Sequence, residues 1–215
     1  IPIAAAILLS QSRGAIFIGV PLSILAIGLL AGGRWLWASL GVIVVGAISV
    51  IPLLNSPRVQ AIFSGGSEDT AVFRVALWKS TIQMIRDHLL FGVGPDNFLY
   101  AYRGRYLLPE AWQESSLSHP HNVVLDFAAR LGLIGLGVFI WIQLAFWITA
   151  LRAMRRAKQS LNIEHWALLI GLMASMVDFL THGLIDAAYF VVDLAFVFML
   201  ALALVQTVGQ SATES

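Results

Sequence analysis

His119-Pro120-His121-Asn122 places two imidazoles within three residues, directly before a long apolar run. An unperturbed imidazole titrates near 6.5, so such a histidine can take a proton from a hydroxyl close to neutral pH. The same residues also make an ordinary helix start, with Asn122 as N-cap and the histidines at a polar boundary. His119 and His121 could hold a metal only with a third ligand, and none stands at a suitable spacing. Neither a His-Glu-x-x-His zinc motif nor a Walker phosphate loop is present, and the glycines fall in apolar runs and turns rather than after a strand. No metal and no cofactor is expected.

The cations come next. Arg13 lies between two apolar runs. An ionisable group there either marks function or snorkels to headgroups. A fixed guanidinium offers paired donors that suit a phosphate or diphosphate. Arg74 has the same two readings, and Trp78, four residues on, shares its helix face. Tyr100, Tyr102, Arg103, Arg105, Tyr106 and Trp112 fit either an interfacial aromatic belt or a sugar-stacking, phosphate-binding cleft. Asp126 and Arg130 are spaced for an i,i+4 ion pair. His182 and Asp186 have the same spacing, which permits an orienting hydrogen bond. Asp178 and Asp193 flank that turn and could bond within a helix bundle.

These residues must be positioned by membrane helices. Of 215 residues, 59% are hydrophobic and 12% charged, against roughly 45–50% and about 25% in soluble domains. A net charge of +1 gives no footprint for nucleic acid. With no cysteine, disulfides and thiolate metal sites are excluded. Apolar runs predict spans over 1–11, 15–31, 35–54, 123–151, 165–181 and 184–207. The fold class is therefore all-α: a polytopic transmembrane bundle over 1–54 and 123–208, a helical insert over 55–122 and a frayed tail over 209–215. The opening Ile1-Pro2-Ile3 lies inside an apolar run without a signal-peptide n-region. We read the chain as a fragment that lacks earlier helices.

Arg152, Arg155, Arg156 and Lys158 mark a cytoplasmic loop after the fourth span, and Arg34 agrees two crossings earlier. The insert, with six Lys/Arg and six Asp/Glu, then lies on the outer face together with Arg13 and the His182–Asp186 turn. Within the insert, Phe73, Leu77, Met84 and Ile85 predict an amphipathic helix over 67–90, capped by Ser67 or Asp69 and ended by Gly92-Val93-Gly94-Pro95. Asp96 and Asn97 suit a turn or a new cap.

His121-Asn122, nine residues, then Gly132-Leu133-Ile134-Gly135 resembles the signature of the O-antigen ligase and polymerase superfamily. Ser12-Arg13-Gly14, the segment Arg74–Trp78, Phe91–Phe98 and Gly183-Leu184-Ile185-Asp186 resemble other family stretches in the same order. The resemblance implies a GT-C-like, metal-independent, inverting glycosyltransferase in the bacterial cytoplasmic membrane. Its donor would be a glycan on undecaprenyl diphosphate. Its acceptor would be a glycan, lipid or protein hydroxyl on the extracytoplasmic face. His121 would serve the acceptor hydroxyl, Arg13 and Arg74 the diphosphate. His119, Asn122, Trp78, Arg103, Arg105, His182 and Asp186 are further candidate contacts. A repeat-unit polymerase and a protein O-oligosaccharyltransferase share this donor chemistry, while a lipid or solute transport module is the rival from another class. In every case the predicted topology puts a reporter fused after Lys158 in the cytoplasm, and detection of that reporter outside the membrane would refute it.

Overall fold

The computed structural model describes residues 12, 14–54, 67–186 and 189–214, and every regular element among them is helical. Helix α1 spans Ala15–Ala31, its first turn Ala15–Gly19 being π-helical and the rest, Val20–Ala31, α-helical. Then follow α2 (Arg34–Leu54) and α3 (Ser67–Asp87). Short α4 (Phe98–Ala101) leads into a π-helical turn Tyr102–Tyr106 and a 3-10 turn Pro109–Glu114. The long helices α5 (Val123–Gln159), α6 (Ile163–Gly183) and α7 (Val192–Glu214) complete the chain. Val123–Gln159, Ile163–Gly183 and Val192–Gln210 are long and apolar enough to cross a membrane, and Ala15–Ala31 and Arg34–Ser49 are shorter apolar helices. The expected span over 1–11 lies outside the described residues.

Three expectations need correction. The last helix begins at Val192, not at residue 184. Its predecessor runs on to Gly183, and a turn follows, tied by Ile185 and Asp186 N–H donating to the His182 carbonyl, both at 3.0 Å. The basic residues Arg152, Arg155, Arg156 and Lys158 lie in the final turns of α5 rather than in a loop. Cations suit a helix C-terminus, where the carbonyls carry partial negative charge. Tyr102 and Tyr106 belong to neither a belt nor a cleft, because both are buried in the core of the insert.

The structure forms two compact units, one drawn from Ile1–Gly41 with Ile140–Ser215, the other Val42–Phe139. In the first, α1 packs on α6 and α6 on α7. Small residues permit close approach in apolar surroundings. A side chain at Gly19 would strike the Asp178 carboxylate, and one at Gly28 would meet Ser39 Oγ at 2.6 Å. The turn between α1 and α2 uses Gly32 and Gly33, at φ 71° and 54°, a region that costs L side chains dearly.

The second unit holds the insert. Leu77 and Met84 on α3, Phe98, Tyr102, Tyr106 and Ala129 on α5 form its buried core. The Tyr106 hydroxyl donates to Asp87 Oδ2 at 2.9 Å. Burial, and then this bond to a carboxylate, raise the Tyr106 pKa above the ordinary 10.0, despite the opposing charge of Arg105. Burial also raises that of Tyr102, with Glu114 adding to it.

What joins the insert to α5 is an exchange of backbone bonds at a bend. Gly132 has φ 69° and ψ −171°, which breaks the helix. An α-helix pairs each N–H with the carbonyl four residues back, so the bend frees the carbonyls of Ala129 and Arg130 and the N–H groups of Leu133 and Ile134. The turn after α3 takes up all four. Val93 N–H donates to Ala129 O and Gly94 N–H to Arg130 O, both at 2.9 Å. Leu133 N–H donates to Leu89 O at 2.8 Å, and Ile134 N–H to Leu90 O at 3.4 Å. A side chain at Gly132 would run into the Leu90 carbonyl, and one at Gly92 into Ala129 and Arg130.

The backbone angles of Gly132 are essentially reserved for glycine, with a strain of order 1–3 kcal/mol for other residues. Overpacking adds about 1–3 kcal/mol. Gly132→Ala should therefore destabilise the protein by about 2–6 kcal/mol, read by denaturation in detergent. Gly137→Ala on the same helix, where a Cβ meets open space, should be tolerated.

Candidate active site

The segment 118–122 is held at alternate residues. Arg130 Nη2 donates to the Ser118 carbonyl. Trp78 Nε1 donates to the Pro120 carbonyl at 2.9 Å. Asn122 Oδ1 accepts from Val124 and Leu125 N–H, each at 3.1 Å, and so caps α5 as its residue type predicts. His119 and His121 are the residues between these fixed points. Their rings meet edge to face with centroids 4.3 Å apart, and Ser118 Oγ lies 3.2 Å from His119 Nδ1.

His121 is half-buried, and its φ is 51°. Non-glycine residues seldom adopt this left-handed conformation, although histidine does so more readily than most. The strain is of order 1–3 kcal/mol and persists only where surrounding contacts over-determine the backbone. Here the bonds at 118, 120 and 122 do so, and they fix where the imidazole begins.

The cations divide. Arg74 is half-buried on α3, one turn before Trp78 and on its face, so the helix that secures Pro120 also carries Arg74. Arg13 lies outside the described residues. Arg103 is exposed on the π-helical turn. Arg105 is 3.3 Å from Asp87 and lies over the Tyr106 ring at 5.5 Å, so a carboxylate of the insert already neutralises it. In the other unit, His182 Nε2 and Asp186 Oδ2 are 3.8 Å apart, an ion-pair distance but longer than the hydrogen bond that their spacing permits. His182 Nδ1 packs at Gly14, where a Cβ would meet it at 3.2 Å.

The spacing of Asp126 and Arg130 correctly indicates an ion pair, with Nε to Oδ1 at 2.6 Å. It gives no hint of what else the guanidinium does. Arg130 is buried, donates to both the Pro95 and Ser118 carbonyls, and sits 5.6 Å from the Phe98 ring centroid. Its partners there are main-chain oxygens, which carry no side-chain signature.

Fold and site define a class: a helical membrane protein that mounts a strained, histidine-bearing loop on a folded polar insert. A family model described as O-antigen ligase matches residues 1–140 of the 215. The chain belongs to the O-antigen ligase family, and so to the membrane glycosyltransferases that act as ligases or polymerases. The matched region contains Arg74, Trp78, the His119–Asn122 loop and the Gly132 bend, whereas His182 and Asp186 fall beyond it. No curated protein matches the chain.

Glycine adopts the backbone of residue 121 freely, whereas alanine is penalised by roughly 1–2 kcal/mol. His121→Gly should accordingly be about 1 kcal/mol more stable than His121→Ala in denaturation, and equal stability would show that the loop relaxes.

Proposed function

We propose that the protein is an O-antigen ligase-like enzyme that moves a glycan from undecaprenyl diphosphate to an acceptor hydroxyl, with inversion, at the outer face of the bacterial cytoplasmic membrane. His121 takes the proton of the acceptor hydroxyl. The hydroxyl oxygen attacks the anomeric carbon from the side opposite the diphosphate. The bond from that carbon to the diphosphate oxygen breaks, and its electron pair leaves with undecaprenyl diphosphate. Arg74, with Arg13, neutralises the departing charge through paired donors. The reaction so written needs one base and a guanidinium clamp, and routes no step through a metal.

The observation that supports this reading best is the bond from Trp78 to the Pro120 carbonyl, which with the Asn122 cap holds the left-handed backbone of His121 on both sides. Leu161 takes the same left-handed φ, 56°, directly before the Asn162 cap of α6, so the conformation also suits a plain helix start, and it is the bond from Trp78 that sets the histidine loop apart. Trp78 adds a link, because its bond to Pro120 ties the histidine loop to the helix that bears Arg74.

The test uses the full-length protein in proteoliposomes with an undecaprenyl diphosphate-linked glycan and, separately, lipid-core, glycan and protein acceptors. General-base catalysis contributes typically 10²–10⁴-fold, so His121→Ala should cut transfer by about that factor while donor affinity stays within twofold. Arg74→Ala should instead weaken donor binding by roughly 10–100-fold, as expected for a lost charged hydrogen bond. Normal transfer by the His121→Ala variant would refute the mechanism, and the acceptor consumed by the native protein identifies the branch of the family.

A further inference from the structure

We propose that Arg130 is a positioning residue for transfer, acting through the main chain of the histidine loop, and that its link to Asp126 serves this task. The proposal rests on His121 being the base.

Five contacts carry it. Arg130 Nε holds Asp126 Oδ1 at 2.6 Å. Its Nη1 donates to the Pro95 carbonyl and its Nη2 to the Ser118 carbonyl. Its cationic carbon lies 5.6 Å from the Phe98 ring centroid. Its own carbonyl accepts from Gly94 N–H at 2.9 Å. One residue thus joins the α5 helix, the turn that fills the Gly132 bend, and the chain three residues before His121. The side chain is 8% exposed and that of Asp126 5%, so the ion pair is shielded from water, whereas Pro95 and Ser118 are exposed residues.

Charge alone does not explain this arrangement. An ion pair needs only a cation beside Asp126, and a lysine would supply one. Binding two carbonyls in different segments as well needs a planar fork of donors. The carbonyls of residues 118 and 120 are the two main-chain anchors of the loop, and Arg130 provides one while Trp78 provides the other. With Ser118 released, the left-handed conformation of His121 has one restraint fewer, and the imidazole loses its fixed origin. Reacting groups need to be held within a fraction of an ångström, and a 1 Å misplacement can cost about 100-fold in rate. Donor binding, assigned to other residues, should not feel the change.

The experiment compares Arg130→Lys, Asp126→Asn and His121→Ala with the native chain, full length and in proteoliposomes with an undecaprenyl diphosphate-linked glycan. Turnover is expressed per donor-binding site, so that loss of folded protein does not count as loss of rate. For Arg130→Lys we expect turnover to fall at least tenfold while donor KM stays within twofold. Asp126→Asn keeps an acceptor for Nε but leaves the buried guanidinium without its counter-charge, so turnover should fall in the same direction as in Arg130→Lys, by a smaller factor, at unchanged donor KM. Native turnover in Arg130→Lys overturns the proposal, and so does loss of donor binding together with turnover, which would assign Arg130 to the fold alone. A second test uses paired cysteines, since residues 1–215 contain none of their own and any elsewhere in the full-length protein can be changed to serine. Pro95→Cys and Ser118→Cys, joined by a short bis-maleimide, should keep turnover within twofold, since Arg130 already couples those segments. A tether that halts transfer shows that they must part and overturns the bridge. If His121→Ala transfers normally, the base assignment fails. If His121→Ala is inactive and Arg130→Lys is not impaired, only the role of Arg130 fails.

Discussion

An apolar helix cannot leave its backbone polar groups unpaired, and most of this molecule follows from how α5 meets that constraint at Gly132. Water is scarce around such a helix, and each unsatisfied group costs several kcal/mol. The break is therefore tolerable only with another strand of chain in place, and the Leu89–Gly94 turn supplies two donors and two acceptors in register. That turn cannot shift by a residue without mismatching all four. Docking the turn also carries α3 to α5, sets Ala129 into the core beside Leu77, Met84 and Phe98, and brings Pro95 within reach of Arg130. The insert is thus built onto the helix by main-chain geometry, and its hydrophobic core completes the attachment.

The buried ion pair belongs to the same logic. Burying two charges is expensive, and an isolated pair of this kind is poor evidence of stability. The carbonyls of Pro95 and Ser118 lie in segments without helical partners, and a guanidinium that reaches both fixes them relative to α5. A guanidinium satisfies several such oxygens at once, and Asp126 balances the charge this requires. Trp78 does the same for Pro120 with a neutral donor, which explains why an indole stands on an otherwise ordinary face of α3.

Much of this architecture was legible in the residues. Apolar runs located the helices, because the bilayer demands length and composition together. Asn122 announced the start of α5, and Leu77 with Met84 announced the buried face of α3. The misreadings have physical causes. The run continues apolar through Leu184 and Ile185, so composition could not reveal the turn that Ile185 and Asp186 make through their backbone bonds to His182. Tyr102 and Tyr106 read as boundary aromatics, but their burial depends on packing against α3, about twenty residues away. The role of Arg130 was hidden most thoroughly. Its Asp126 partner is visible at helical spacing, whereas its other partners are main-chain carbonyls, which any residue provides.

That last property has a consequence for how the site is inherited. The curve of the histidine loop is written largely at positions outside it, in an indole and a guanidinium that grasp atoms common to every amino acid. Substitutions at Ser118 leave its carbonyl intact, so the text of that position can drift while its shape does not. An inserted or deleted residue between 118 and 122 changes no chemistry, yet it throws the histidines out of phase with both anchors. The loop is therefore permissive to spelling and intolerant of length.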